Sequence, residues 1–327
     1  MPNSTTVTEF LLTRFSEVWE YRVLHSMLFL LIYLATLMGN FLIVTVTTLD
    51  KKLHIPMFFF LRNLSAISVT IPKACVIFLL ENTAISMAGC ATQIFFLFWF
   101  AYIELLMLTI MAWDRYVAIC QPLHYSVIMN PWLCVQMTLA ALLCGVFSAG
   151  FLTGNTFRLP FCQSNVVHQF FCDMHFLLKL SCSDILSNEI SIFIFAVVID
   201  GGCFAFITMS YIRIFSTVLK FPTRGEQGKA FSTCVPHILV VTVFLSSAAA
   251  VYMKPTSSSP ASPTIQDMIT SIVPPFLNPI IYSLRNKQIK EAVRKMMSRK
   301  LCLGEKIISH YDNCYYYIYH KISNCII

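Results

Sequence analysis

The chain has 327 residues, of which 57% are hydrophobic and 12% charged, with 28 Phe and a formal net charge of +7. A soluble domain of this size needs far more polar surface to stay dissolved, so the composition excludes one and leaves an integral membrane protein. The positive charge then reports membrane topology and is not read as the footprint of a nucleic-acid partner.

In chain order, apolar runs of the roughly 20 residues needed to cross a bilayer fall at 23–49, 57–80, 90–119, 132–153, 190–219, 230–253 and 265–284. They predict an all-α membrane protein with a seven-transmembrane helix bundle. Residues 1–22 form its N-terminal segment and 285–327 its tail. No short apolar segment with a cleavage site precedes residue 23, which predicts no cleaved signal peptide and insertion directed by the first helix. Lys and Arg are retained on the cytoplasmic side. An outside N-terminus puts 17 of the 23 basic residues inside, leaving Arg14, Arg22, Lys73, Arg158, Lys179 and Lys254 outside. The sequence "NST" makes Asn3 an N-glycosylation acceptor on that outer side.

Charges inside apolar runs are costly and mark function. Asp114 and Arg115 stand where the third run ends, and Asp200 lies in the middle of the fifth. Asp200 is a candidate acceptor for a ligand amine or hydroxyl; the alternatives are a protonated acid or a hydrogen bond to a neighbouring helix. The loop 154–189 carries Cys162, Cys172 and Cys182, which with Cys90 make four cysteines on the outer side. In an oxidising compartment these predict two disulfides, with three pairings open. A bond from the loop to Cys90 would pin it as a lid. "HQFFCDMH" also spaces His168, Cys172 and His175 as metal ligands are spaced, a weaker alternative.

The short basic loop "KFPTRGEQGK" keeps the fifth and sixth segments close on the inside, and "KPTSSSPASP" is a turn-rich outer link. Residues 287–300 alternate apolar and basic groups at helical spacing, which predicts an amphipathic eighth helix on the anionic inner leaflet. The sequence holds no phosphate-cradling glycine loop, zinc-binding histidine pair or nucleophile triad, so neither an enzyme nor a cofactor or metal is expected. The paired broken helices of a transporter are absent from it too.

"PMFFFLRNLS" (56–65), "MAWDRYVAIC" (111–120) followed by "PLHY" (122–125), "SYIRIF" (210–215), "KAFSTCVPH" (229–237) and "PFLNPIIYSLRN" (275–286) occur in one order. That order resembles the vertebrate olfactory receptors, rhodopsin-like G-protein-coupled receptors, from about residue 8 to 300. The long outer loop looks like the tetrapod-type class, and "FSEVWEYRVLHSMLFLLIYL" is similar to the set called family 14.

The resemblance implies roles residue by residue. Cys90 pairs with Cys172, and Cys162 with Cys182. Asp114, Arg115 and Tyr116 match the G-protein switch, with Tyr211, His237, Asn278, Pro279 and Tyr282 as its moving parts. The ligand site lies in the outer half of the bundle. Helical stepping from the matched motifs gives Leu97, Phe98, Ala101 and Tyr102 on the third segment, Phe195, Ala196, Ile199 and Asp200 on the fifth, and Leu245, Ala248 and Tyr252 on the sixth. The implied function is a plasma-membrane odorant receptor for small, mostly apolar volatiles. Its partners are a stimulatory, olfactory-type heterotrimeric G protein, which raises cAMP, and membrane lipid. A chemoreceptor used outside olfaction, a signalling-impaired remnant, and more distantly a transporter or channel are the alternatives.

The second segment departs from the family. It is shorter by about five residues, nearly one and a half turns, and lacks an acid shortly after "NLS". Glu104, the polar-core acid of the third segment, thereby loses that partner and is expected to be protonated or hydrogen-bonded within the core.

Overall fold

The computed structural model describes residues 8–13, 18–49, 83–161, 165–167, 169, 171–182 and 186–252. The expected second and seventh segments, the amphipathic tail helix, Asn3, Cys162, His168, Asn278, Pro279 and Tyr282 lie outside the described residues, as do the side chains of Ala248 and Tyr252.

The described elements are β1 (Glu9–Leu12), α1 (Trp19–Leu49), β2 (Ala84–Ser86), α2 (Met87–Cys120), a 3-10 turn (Pro122–His124), α3 (Tyr125–Ile128), α4 (Pro131–Phe157), β3 (Val166–Val167), α5 (Met174–Leu178), α6 (Leu186–Val218) and α7 (Arg224–Tyr252). Five of these helices are long and apolar enough to cross a membrane. They correspond to the first, third, fourth, fifth and sixth predicted segments. α7 begins at Arg224, six residues before its apolar run. Hydropathy stops at the first charges, whereas backbone hydrogen bonding continues through "RGEQGK" into the aqueous phase.

The helix starts are set by short polar residues. Ser86 Oγ accepts from Gly89 N at 3.1 Å to open α2. Asn130 Oδ1 accepts from Leu133 N at 2.8 Å, with Pro131 in the first turn, to open α4. Asp173 accepts from His175 N at 2.8 Å to open α5. Each satisfies an amide that the helix itself leaves without an acceptor.

α2 is the central post. Its 34 residues span about 51 Å at 1.5 Å per residue, more than the apolar layer requires. Leu105, Met107, Leu108 and Ala112 are buried along it, and it packs against α4, α6 and α7. α4 approaches closely because position 145 is glycine: a Cβ there would stand 3.0 Å from Ile103 Cγ1 and 3.1 Å from Trp99 Cδ1. Trp99 Nε1 donates across the same contact to the Leu142 carbonyl at 3.3 Å. An inner cluster of Met107, Leu108, Met111, Tyr211, Ile214, Val218, Cys234 and Val240 joins α2, α6 and α7.

A small sheet of order β2-β1-β3 caps the opposite end. β1 runs antiparallel to β2, with Phe10 opposite Ile85, and parallel to β3, with Leu11 opposite Val166. Phe10 and Leu12 point inward and are buried while Glu9 and Leu11 face out, the two-residue alternation of a half-covered strand. The N-terminal segment, to which the sequence reading assigned no element, is therefore part of the roof.

Candidate functional site

The roof is fixed covalently. Cys90, in the first turn of α2, is bonded to Cys172 of the long loop at an S–S distance of 2.08 Å. Both are fully buried with Phe10, Leu12, Ile94, Phe161, Val167 and Leu177. Phe10 meets Phe161 edge-on at 5.3 Å. Cys182 is also disulfide-bonded. With its sulfur consumed by Cys90, Cys172 cannot serve as a thiolate ligand, so the metal alternative built on His168, Cys172 and His175 fails. His175 is an exposed residue in the first turn of α5.

Beneath the roof lies an apolar wall. Tyr102, Leu152, Met174, Leu178 and Ile192 are buried together, with Phe98, Phe151, Phe195 and Ile199 packed on them. Tyr102 and Phe195 meet edge-on at 6.1 Å, and Phe151 stacks on Phe195 at 4.5 Å. Four of the ligand candidates, Phe98, Tyr102, Phe195 and Ile199, are thus brought into one cluster. Leu97, Ala101 and Ala196 are half-buried on the same two helices, Asp200 is exposed on α6, and Leu245 packs on the inner cluster instead. Sequence reasoning missed Phe151 on α4 and the lid residues Met174 and Leu178. The apolar positions of "DMHFLL" right after an Asp cap were the available signal.

Halfway down, Tyr211 of α6 and His237 of α7 meet. Their rings stack with centroids 5.7 Å apart, and the Tyr211 hydroxyl is 2.7 Å from His237 Nδ1. His237 Nε2 is 3.0 Å from the carbonyl of Leu108 on α2. A carbonyl only accepts, so Nε2 carries the proton, Nδ1 is the acceptor of the neutral ring, and the tyrosine donates. Three helices are joined by two buried hydrogen bonds in series. Pro236 lies inside α7 beside this histidine and, lacking an amide proton, frees a backbone carbonyl one turn earlier. Glu104 is buried and not without a partner.

At the far end of α2, Asp114 holds two groups. Arg115 Nε stands 3.9 Å from Asp114 Oδ2, and the Tyr125 hydroxyl donates to Asp114 Oδ1 at 2.9 Å. Tyr125 opens α3 immediately after the 3-10 turn "PLH". Burial, then the charge and hydrogen bond of Asp114, push its phenol up to about 12. Tyr116 is half-buried, stacked on Trp113 at 5.5 Å and packed on the inner cluster. No role was read for Tyr125 from the sequence, although "PLHY" begins six residues after Tyr116.

The olfactory receptor family model matches residues 29–300. The chain belongs to the olfactory receptor family. It is 62% identical over 309 residues to human olfactory receptor 14C36, covering 91% of this chain and 98% of that one. It is 50% identical over 310 residues to human olfactory receptor 14A16, covering 92% and 99%. Mouse olfactory receptor 1E16 shares 42% identity over 304 residues, covering 91% and 97%. Among solved structures, squid rhodopsin superposes with a TM-score of 0.68 at 17% identity, covering 86% of this chain and 82% of that one. The fold of this olfactory receptor is therefore the rhodopsin-like seven-helix bundle of a multi-pass membrane protein.

Proposed function

We propose that this receptor binds small, mostly apolar volatile odorants against the Phe98, Tyr102, Phe195 and Ile199 wall. In this reading it activates a stimulatory, olfactory-type G protein and raises cAMP, with no catalysis of its own. It sits in the plasma membrane with the N-terminus and the Asn3 sequon outside. Cys162–Cys182 is the second disulfide, and the tail helix lies on lipid. Removing apolar ligand area from water at about 25 cal/mol per Å² supplies the affinity.

The observation that carries this reading is the buried series Tyr211–His237–Leu108, which lies between the apolar wall and the Asp114–Arg115–Tyr125 cluster. A ligand that shifts α6 against α2 must lengthen or realign those two bonds, which couples the wall to the cytoplasmic end of α2. Freed from Asp114, Arg115 then contacts the G protein, with Asn278, Pro279 and Tyr282 as further parts of the switch. Surface expression with a cAMP reporter and a broad odorant panel tests the reading. A response that vanishes in Arg115→Ala supports it, and a ligand-driven current without G protein sinks it.

A further inference from the structure

Gln93 lies one turn inward from Cys90 on α2 and is 6% exposed. Its Oε1 accepts from the backbone N–H of Cys172 at 3.1 Å. An amide oxygen must face that N–H, so the orientation of the side chain is determined and the NH₂ group points the other way. Nε2 is buried and finds no hydrogen-bond partner among the described residues. An unsatisfied buried donor is costly, and polar atoms in this position ordinarily find one.

The position says what kind of partner fits. Residues 90, 93, 94, 97, 98, 101 and 102 share one face of α2, by the three- and four-residue spacing of a helix. At 1.5 Å per residue Gln93 stands about 7.5 Å above Phe98, the reach of one small molecule. Ile94 and Phe98 on that face belong to the roof cluster, and Phe98 also packs on the wall formed with Tyr102 and Phe195. The surrounding side chains offer apolar surface, while Gln93 offers donors with no acceptor.

The geometry points to Gln93 as the residue that selects odorants bearing a hydrogen-bond-accepting oxygen, such as a ketone, aldehyde or ester, held by Nε2 beneath the disulfide-pinned lid. This rests on the odorant-receptor reading above and adds a chemical class to it. The apolar body of the ligand lies on Phe98, Tyr102 and Phe195, and its carbonyl points toward the roof. A hydrocarbon of the same shape gains the same burial and leaves the donor unsatisfied.

The test uses the full-length receptor on the cell surface with a cAMP readout. The probes are methyl ketones, each paired with the isopropenyl hydrocarbon of the same shape, in which CH₂ replaces the carbonyl oxygen. Wild type should respond to the ketones at concentrations about tenfold lower than to their partners. Gln93→Met should bring the two within about twofold, the hydrocarbon response being retained. Gln93→Glu keeps an oxygen acceptor for the Cys172 N–H but removes the donor, and should shift the preference from ketones to alkyl amines. Should Gln93→Met fail to reach the surface, the Gln93→Glu arm decides. Equal responses of wild type to both members of each pair, or a ketone preference that survives both substitutions, overturn the inference and leave the receptor reading standing. Silence toward every probe and every odorant at full surface display overturns that reading, and this one with it.

Discussion

The two ends of α2 are held by different physics. At the outer end a disulfide, a short sheet and fully buried Phe10, Leu12 and Ile94 join the N-terminal segment, the helix and the long loop. At the inner end Asp114 is held by one ion pair at 3.9 Å and one tyrosine hydrogen bond at 2.9 Å, both partly exposed. Covalent and apolar ties do not open on the timescale of signalling, while exposed polar ties exchange with water at little cost. The post is anchored at the roof and releasable at the Asp114 end, which is what the proposed switch with one moving end requires.

Cutting the outer anchor should do the most. Cys90→Ser removes a cross-link between residues 82 apart, worth about 4.5 kcal/mol by the loop-closure estimate. Loss of surface display in cell-surface labelling is the expected result, and normal display would show that the roof holds without its bond. Phe10→Ala empties a fully buried site and should cost about 3 kcal/mol, the low end for such a truncation because a four-residue strand can detach. Thermal inactivation of ligand response measures it, and an unchanged curve would mean that β1 adds nothing to the roof.

Tyr211→Phe leaves His237 Nδ1 buried without a donor and should cost about 1–2 kcal/mol. Basal cAMP should rise, since α6 and α7 lose the hydrogen bond between them; unchanged basal signalling would place the coupling elsewhere. The smallest effect is expected of Tyr125→Phe, under about 1 kcal/mol after screening by water, read as a slight rise in basal cAMP. The Tyr125 phenol is raised from 10.0 to about 12, so the folded form holds that proton more tightly than the unfolded chain. Its contribution is complete below pH 10.0 and is lost as the pH rises through about 12. In a difference titration of wild type against Tyr125→Phe, phenolate absorbance belonging to Tyr125 at or below pH 10.0 would break that account.

Much of the candidate site was legible because its parts are local. "MAWDRYVAIC" marks Arg115 at the end of one long apolar run and "KAFSTCVPH" marks His237 inside another, where residue type and position coincide. Tyr211 and His237 were each readable, but not their contact, since nothing in either motif says that two helices will stack those rings. Stepping in helical register found Phe98, Tyr102, Phe195 and Ile199 and also selected Leu245, which packs inward on the other cluster. Register gives a face of one helix and leaves open which neighbour covers it. β1 was missed because four residues of "EFLL" carry too little alternation, and its partners are distant in the chain.

By itself the sequence determined the membrane class, the expected run of spanning helices and the family, because hydropathy and short motifs are properties of contiguous residues. Only the tertiary structure decided that the N-terminus closes the roof, that Asp114 is shared by Arg115 and Tyr125, and that Gln93 keeps a buried donor under the lid. Each depends on which groups from separate segments meet within a few ångströms, and distance in the chain carries no record of that.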